Sequence, residues 1–381
     1  MFSTPLVKAY NFFYFSLLSI FISFLPVYLS TQGISTSRIG VIIGIGAFIG
    51  ILSQPFWGVI SDKYKTIKKI ILITLGISIG VGVTLFQTSS LVPLMILVFL
   101  MYIFYLPTDP LTESLNYQIS QKLQVSFGSI RMFGAIGYAT ASLLVGFASD
   151  YWGIHSLAWL FAGYGLLTFV TGLALPDAPA ASKPISLTSL KLFVTYPKAL
   201  WFFLLVLITA LPHRMNDSFL GVYIQSLGGG TSLIGQAWFI AAISEVFFFA
   251  VSYKFLRKGK ELQLISIASV LYMIRYFLCS IVTEPEWVVY LQLMQGVTFV
   301  VFYTAAIQYL YLVIPEEWKA TGQTILAILF FGISGIFGSF IGGWVFDRFG
   351  GAALYQTMAT LSLISFLFSL MINKRLPVSI H

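Results

Sequence analysis

Long apolar runs dominate this sequence, each about as long as the roughly 20 residues that a helix needs to cross the hydrocarbon of a bilayer. Hydropathy places them at 8–30, 38–60, 68–88, 91–116, 128–150, 154–175, 199–226, 232–256, 262–282, 287–313, 320–346 and 351–373. A bilayer offers no water to backbone N–H and C=O groups, so a spanning segment satisfies them internally as a helix or belongs to a closed barrel. The runs are unbroken rather than alternating, which predicts an all-α membrane protein with twelve transmembrane helices. Only 9% of the residues are charged, against about 25% in a soluble domain. Spans and short connections use up the 381 residues, leaving no length for a sizeable soluble domain.

The first run, ending near Leu29, is too long for a removable signal peptide and is expected to be the first span. The net charge of +8 does not indicate nucleic acid, because the basic residues lie in short clusters between spans and not on one patch. With the N-terminus inside, the inner segments collect Lys8, Lys63, Lys65, Lys68, Lys69, Lys122, Lys183, Lys191, Lys198, Lys254, Arg257, Lys258, Lys260, Lys319, Lys374 and Arg375, while the outer segments receive Arg38 and Arg348. This bias predicts an inner (cytoplasmic) membrane protein with both termini cytoplasmic. The one cysteine, Cys279, lies in an apolar run and reads as packing. No metal-ligand spacing, cofactor motif, nucleotide loop or Ser/His/Asp set is found, so neither an enzyme nor a metalloprotein is expected. No filter-like repeat suggests a channel.

The gap 176–198 carries Pro176, Pro179 and Pro184 and reads as a cytoplasmic linker between two six-helix bundles, 1–175 and 199–381. Ends of the second, fifth and eleventh spans share Gly-x-x-x-Asp: Gly58 to Asp62, Gly146 to Asp150 and Gly343 to Asp347. In the eighth span the pattern degenerates to Ala250 and Lys254. A three-span period places successive copies on opposite faces, as inverted three-helix repeats do in alternating-access carriers.

Charges within spans cost several kcal/mol and mark pathways. Asp109 and Glu113 stand one turn apart in the fourth span, with Arg131 in the fifth. The later spans hold His213, Arg214, Asp217, Glu245 and Arg275. Glu113 and Arg131 are on consecutive antiparallel helices, so they are expected to pair, the guanidinium fork serving a carboxylate or two hydroxyls. Tyr138 lies two turns beyond Arg131 and can add an aromatic plane, while Gly134 and Gly137 keep that surface open. Pro107 and Pro110 are expected to interrupt the fourth span beside the two acids.

Gly58, Asp62, Lys63, Lys68 and Lys69 resemble the signature loop of the major facilitator superfamily, with Lys65-Thr66 where a second glycine is usual. The glycine there is expected to admit a close helix and the aspartate to accept hydrogen bonds from a neighbour, making Gly58, Asp62 and Lys63 a conformational latch. The stretch from Glu113 through Phe127-Gly-Ser-Ile-Arg131-Met-Phe-Gly134-Ala-Ile-Gly137-Tyr138 is similar to the lactose permease family, including the 18-residue interval from acid to arginine. That resemblance implies that Glu113 and Arg131 bind solute, with Tyr138 in place of a stacking tryptophan. Ser244-Glu245-Val246, Ser252, Lys254, Arg275, Gln295-Gly-Val-Thr298-Phe299 and His213 resemble the neighbouring phenylpropionate permease branch. Glu245 and Arg275 match positions that serve substrate binding and proton coupling in the lactose permeases, whereas Gln295 and Thr298 replace a coupling histidine and a proton-releasing carboxylate. His213, Asp217 and Glu245 are therefore the candidate proton-coupling cluster, answering to Arg214 or Arg275. Asp109, Arg275, Gln295, Asn11 and Tyr14 are further substrate-binding candidates, with Gln292 a weaker lining residue. The expectation is a monomeric carrier with lipids and protons as its other partners, importing a sugar, nucleoside or aromatic carboxylate, with a drug or metabolite exporter as the alternative.

Overall fold

The computed structural model describes residues 4–178, 197–256 and 259–375. Most of the expected linker, with Pro179, Pro184, Lys183 and Lys191, lies outside the described residues, as do Arg257 and Lys258. Twelve helices among the described residues are long and apolar enough to cross a membrane. They are α1 (Thr4–Thr31), α2 (Thr36–Tyr64), α3 (Lys68–Leu85), α4 (Leu91–Leu123), α5 (Phe127–Trp152), α6 (Ser156–Ala174), α7 (Lys198–Ser226), α8 (Thr231–Phe255), α9 (Glu261–Ile281), α10 (Pro285–Val313), α11 (Thr321–Phe349) and α12 (Gly351–Lys374). No strand occurs among the described residues. The fourth span runs on to Leu123, beyond its expected end at 116.

Contacts group Met1–Lys183 with Gly228–Phe239 as one compact unit, and Pro184–Leu227 with Ile240–His381 as the other. In the first unit α1 is the central helix, apolar all round and buried along most of its length. Its small hydroxyl residues recur at Ser16, Ser19 and Ser23 and meet α5: Ser16 Oγ donates to the Gly137 carbonyl at 3.0 Å, Ser19 pairs with Ser142 at 2.6 Å, and Ser23 with the Tyr138 hydroxyl at 2.8 Å. Hydrogen-bonded small residues are what hold helices together where lipid removes any hydrophobic drive to associate. A Cβ at Gly137 would strike the Phe12 carbonyl, so glycine there sets the α1–α5 distance.

Gly146 and Asp150 of α5 engage the start of α8. A Cβ on Gly146 would abut Thr231 and Gly235, and Asp150 accepts from Thr231 N at 2.8 Å, from Thr231 Oγ1 at 2.9 Å and from Ser232 Oγ. The carboxylate thereby takes up N–H and hydroxyl donors at a helix N-terminus. The corresponding glycine of α2 behaves differently. Among the described residues, a Cβ on Gly58 would meet nothing within 4 Å.

Beyond Asp62, whose carbonyl accepts Lys65 N, the chain turns through Lys65 at φ 50° and is tied to the exit of α6. Lys68 Nζ donates to the carbonyls of Leu173 and Leu175 at 2.6 Å each, capping the end of α6. Asp177 accepts Thr66 Oγ1 at 2.5 Å, Lys68 N at 3.0 Å and Ala178 N at 2.8 Å. Partial burial pushes the Asp177 carboxyl upward, but these hydrogen bonds outweigh it and hold the group below the ordinary carboxylate range. A lowered folded-state value stabilises the fold above the unfolded value of about 3.9 and loses that contribution as pH falls through the folded value. Asp177→Asn should therefore unfold at a lower temperature than the parent at neutral pH, and the two melting curves should converge as the medium is acidified below about pH 4.

The second unit uses the same hydroxyl chemistry. Ser365 of α12 lies 2.5 Å from Thr209 of α7 and 3.1 Å from Ser269 of α9, and Ser266 pairs with Ser369 at 2.7 Å. Two spans carry π-helical turns, Gly296–Val300 in α10 and Ile328–Ile333 in α11. At the first of them Gly296 N donates to Ser244 Oγ of α8 at 2.9 Å, and an amide drawn aside in this way favours a widened turn.

Candidate functional site

The fourth span breaks at the predicted place. Its helix stops at Phe104, a turn runs through Tyr105 to Pro107, and helix resumes at Thr108. Proline has no N–H for the ladder and restricts the residue before it. Restarting at Thr108 puts Asp109 in the first turn of the new segment and Glu113 one turn on.

Glu113 Oε1 meets Arg131 Nε at 2.6 Å, with the side chains 28% and 41% exposed. The guanidinium also lies 3.9 Å from the centroid of Phe15 on α1, a cation–π contact. Phe15 in turn occupies the space that a Cβ on Gly134 would claim. Arg131 is thus held by Nε and by one face, which leaves its Nη1/Nη2 edge open. Tyr138, expected to flank this fork, shares its hydroxyl with Ser23 and sets its ring edge-on to Trp238 at 6.4 Å. Phe15 escaped the sequence reading because nothing separates it from its apolar neighbours except register. Asp109 Oδ1, Glu113 Oε2, the Tyr105 hydroxyl and Trp238 Nε1 are buried without hydrogen-bond partners.

Asn11 and Tyr14, expected to line the site, are fully buried and spend their polar atoms on α4. Tyr14 pairs with Thr108 at 2.9 Å and Tyr10 with Thr112 at 3.0 Å, while Asn11 and Asn116 exchange two amide bonds of 2.8 and 2.7 Å. These bonds fix the restarted segment against α1. Asn11→Leu and Asn116→Leu should each destabilise the protein by about 1–3 kcal/mol by orphaning the other amide. The double variant should recover part of that loss, giving a positive coupling in a double-mutant cycle of chemical unfolding.

In the second unit the charges form two groups. His213 has Nδ1 3.1 Å from the Tyr272 hydroxyl and Nε2 3.5 Å from Asp217 Oδ2, and Arg214 Nη1 donates to the same Asp217 oxygen at 2.7 Å. The imidazole stacks on Phe299 at 4.9 Å and lies 5.2 Å from Phe330, rings supplied by the two π-helical turns. Arg275 is fully buried and, among the described residues, donates to neutral groups: Nη1 to Gln295 Oε1 and to Thr298 Oγ1 at 3.4 Å, Nη2 to Gln292 Oε1. Gln295 Nε2 then donates to Glu245 Oε1 at 2.9 Å. Glu245 is therefore joined to Arg275 through an amide, while Asp217 Oδ2 meets both His213 and Arg214. Gln292, rated a weak candidate from sequence, is a principal partner of the buried cation. Among the described residues no group of His, Cys, Asp and Glu is arranged to hold a metal.

The family model for the MFS_1 like family matches residues 6–357. The chain is 26% identical over 358 residues to "Uncharacterized transporter YwbF" of Bacillus subtilis (strain 168), spanning 93% of this chain and 89% of that one. It is 26% identical over 374 residues to the maltose permease of Geobacillus stearothermophilus, spanning 95% and 93%. The crystal structure of the nucleoside transporter NupG superposes with a TM-score of 0.86 at 18% identity, covering 98% of this chain and 99% of the other, and shares its fold. Twelve apolar helices, charge clusters at span depth and the family match together place this chain in the MFS_1-like family of the major facilitator superfamily, as a multi-pass membrane transporter and not an enzyme.

Proposed function

We propose that the protein is a proton-coupled carrier that imports a small polar or anionic solute by alternating access between two six-helix bundles, 1–175 and 199–381, joined by a linker at 176–198. It resides in the cytoplasmic membrane with both termini inside, and it works as a monomer. The observation that carries this reading is the open Nη edge of Arg131, fixed by Glu113 and Phe15. A rigid fork at span depth with unused donors suits a carboxylate or a pair of hydroxyls, which covers a sugar, a nucleoside or an aromatic carboxylate. Arg275, Gln295 and Gln292 offer a second polar surface, with Tyr138 and Asp109 as further contacts. His213, Asp217 and Glu245 are the coupling candidates of the second unit, since each already touches a group whose charge or orientation can change with conformation. Gly58, Asp62 and Lys63 act as the latch between conformations.

The test is a thermal-shift screen of purified protein against maltose, uridine and 3-phenylpropionate, followed by broader sets of sugars, nucleosides and aromatic acids, with Arg131→Ala in parallel. A solute that binds the folded state raises the unfolding temperature by mass action. Stabilisation of the parent and not of Arg131→Ala supports the reading; equal stabilisation of both removes Arg131 from the site. Proteoliposome uptake that is unaffected by an imposed pH gradient would remove proton coupling.

A further inference from the structure

The first unit holds more acid than base at its charged centre. Asp109 and Glu113 share one guanidinium, and Arg131 Nε is committed to Glu113 at 2.6 Å. Asp109 Oδ1 and Glu113 Oε2 are both buried with no donor. The neighbouring tyrosine hydroxyls do not serve Asp109: Tyr14 is bound to Thr108, Tyr10 to Thr112, and the fully buried Tyr105 hydroxyl has no partner. Other titratable groups that face it are few. From α1 they are Tyr10 and Tyr14, from the turn of α4 Tyr105, from α4 itself Glu113, and from α5 Arg131. The adjacent α3 carries only Lys68 and Lys69, at its far start.

A carboxylate oxygen that is buried without a donor is strongly disfavoured while ionised, and the group neutralises instead. Two effects favour the anion: the first-turn position in a helix, and the charge of Arg131, which Glu113 already offsets. We propose that Asp109 is a proton-binding residue of the first unit, loaded while Arg131 is held by Glu113 and discharged when Arg131 turns to it. The proton passes between Asp109 and water; no bond other than O–H forms or breaks. Protonation turns Asp109 from an acceptor without a donor into a donor of one O–H. One guanidinium and two carboxylates then make a switch in which the acid not holding Arg131 keeps the proton. This deepens the reading of the chain as a proton-coupled carrier and rests on it, yet its test reads the proton and not transport.

The experiment is infrared difference spectroscopy of the purified full-length protein in lipid nanodiscs, with pH jumps as the only probe. The parent should show the carbonyl stretch of a protonated carboxyl that disappears as pH is raised. The band should be lost in Asp109→Asn, displaced in frequency in Asp109→Glu, and weakened or moved to lower pH in Glu113→Gln, which frees Arg131 for Asp109; the Asp109→Glu variant serves where Asp109→Asn fails to fold. An unchanged titrating band in Asp109→Asn, or an undisplaced one in Asp109→Glu, overturns the assignment. So does a band that vanishes when sodium chloride replaces choline chloride, which would make the site one for a metal cation. Failure of solute import with the band intact would refute the carrier reading alone.

Discussion

Arg131→Ala is expected to reduce solute affinity by about 10²–10⁴-fold, because two hydrogen bonds from a charged donor are each worth about 1.5–3 kcal/mol. The loss should fall on binding, read as the disappearance of ligand-induced thermal stabilisation and of uptake at low solute concentration. Effects on stability should be small by comparison, since Arg131 and Glu113 are 41% and 28% exposed and such a pair contributes little. Arg131→Lys keeps the charge but not the fork, so it should recover only part of the affinity. The exchanged variant Glu113→Arg with Arg131→Glu separates the two roles of the pair. If the pair only braces α4 against α5, the exchange restores function; if the open Nη edge receives solute, protein that folds as the parent does remains inactive. Phe15→Leu should have an intermediate effect, because it removes the ring that holds the guanidinium plane without touching the fork.

Much of this arrangement was legible in the sequence because it depends on composition and local chemistry. Twelve apolar runs become twelve helices, since backbone satisfaction in lipid leaves them no other form. The break beside Asp109 follows from Pro107, and the Glu113–Arg131 pair from two short-linked antiparallel helices. What escaped was whatever depends on rotation about a helix axis or on contact between distant spans. Phe15 is one phenylalanine among 36, and only the register of α1 selects it for Arg131. Asn11 and Tyr14 look like site residues in a list of polar groups within a span, yet α4 absorbs their hydrogen bonds. Gly58 and Gly146 match the same pattern by spelling, yet among the described residues a helix is pressed against Gly146 and not against Gly58. The clasp of Thr66 and Lys68 on Asp177 joins residues more than a hundred positions apart and has no local signal.

Arg275 presents the harder electrostatic problem, a fully buried guanidinium that, among the described residues, donates to neutral groups. Amide and hydroxyl oxygens replace part of the lost hydration, and Glu245 supplies the opposite charge one step away through Gln295. Removing the cation breaks both compensations together. Arg275→Leu leaves the Gln292 and Gln295 carbonyl oxygens without their buried donor, at about 1–3 kcal/mol each, so a total loss of about 2–6 kcal/mol is expected. That is a large fraction of a typical folding free energy, and the variant should be recovered in low yield with a markedly lower unfolding temperature. Gln295→Leu tests the link itself: Arg275 and Glu245 both survive but lose the amide between them, so this variant should fold better than Arg275→Leu while uptake still falls. If Gln295→Leu instead transports like the parent, the amide is packing, and Arg275 and Glu245 act independently of each other.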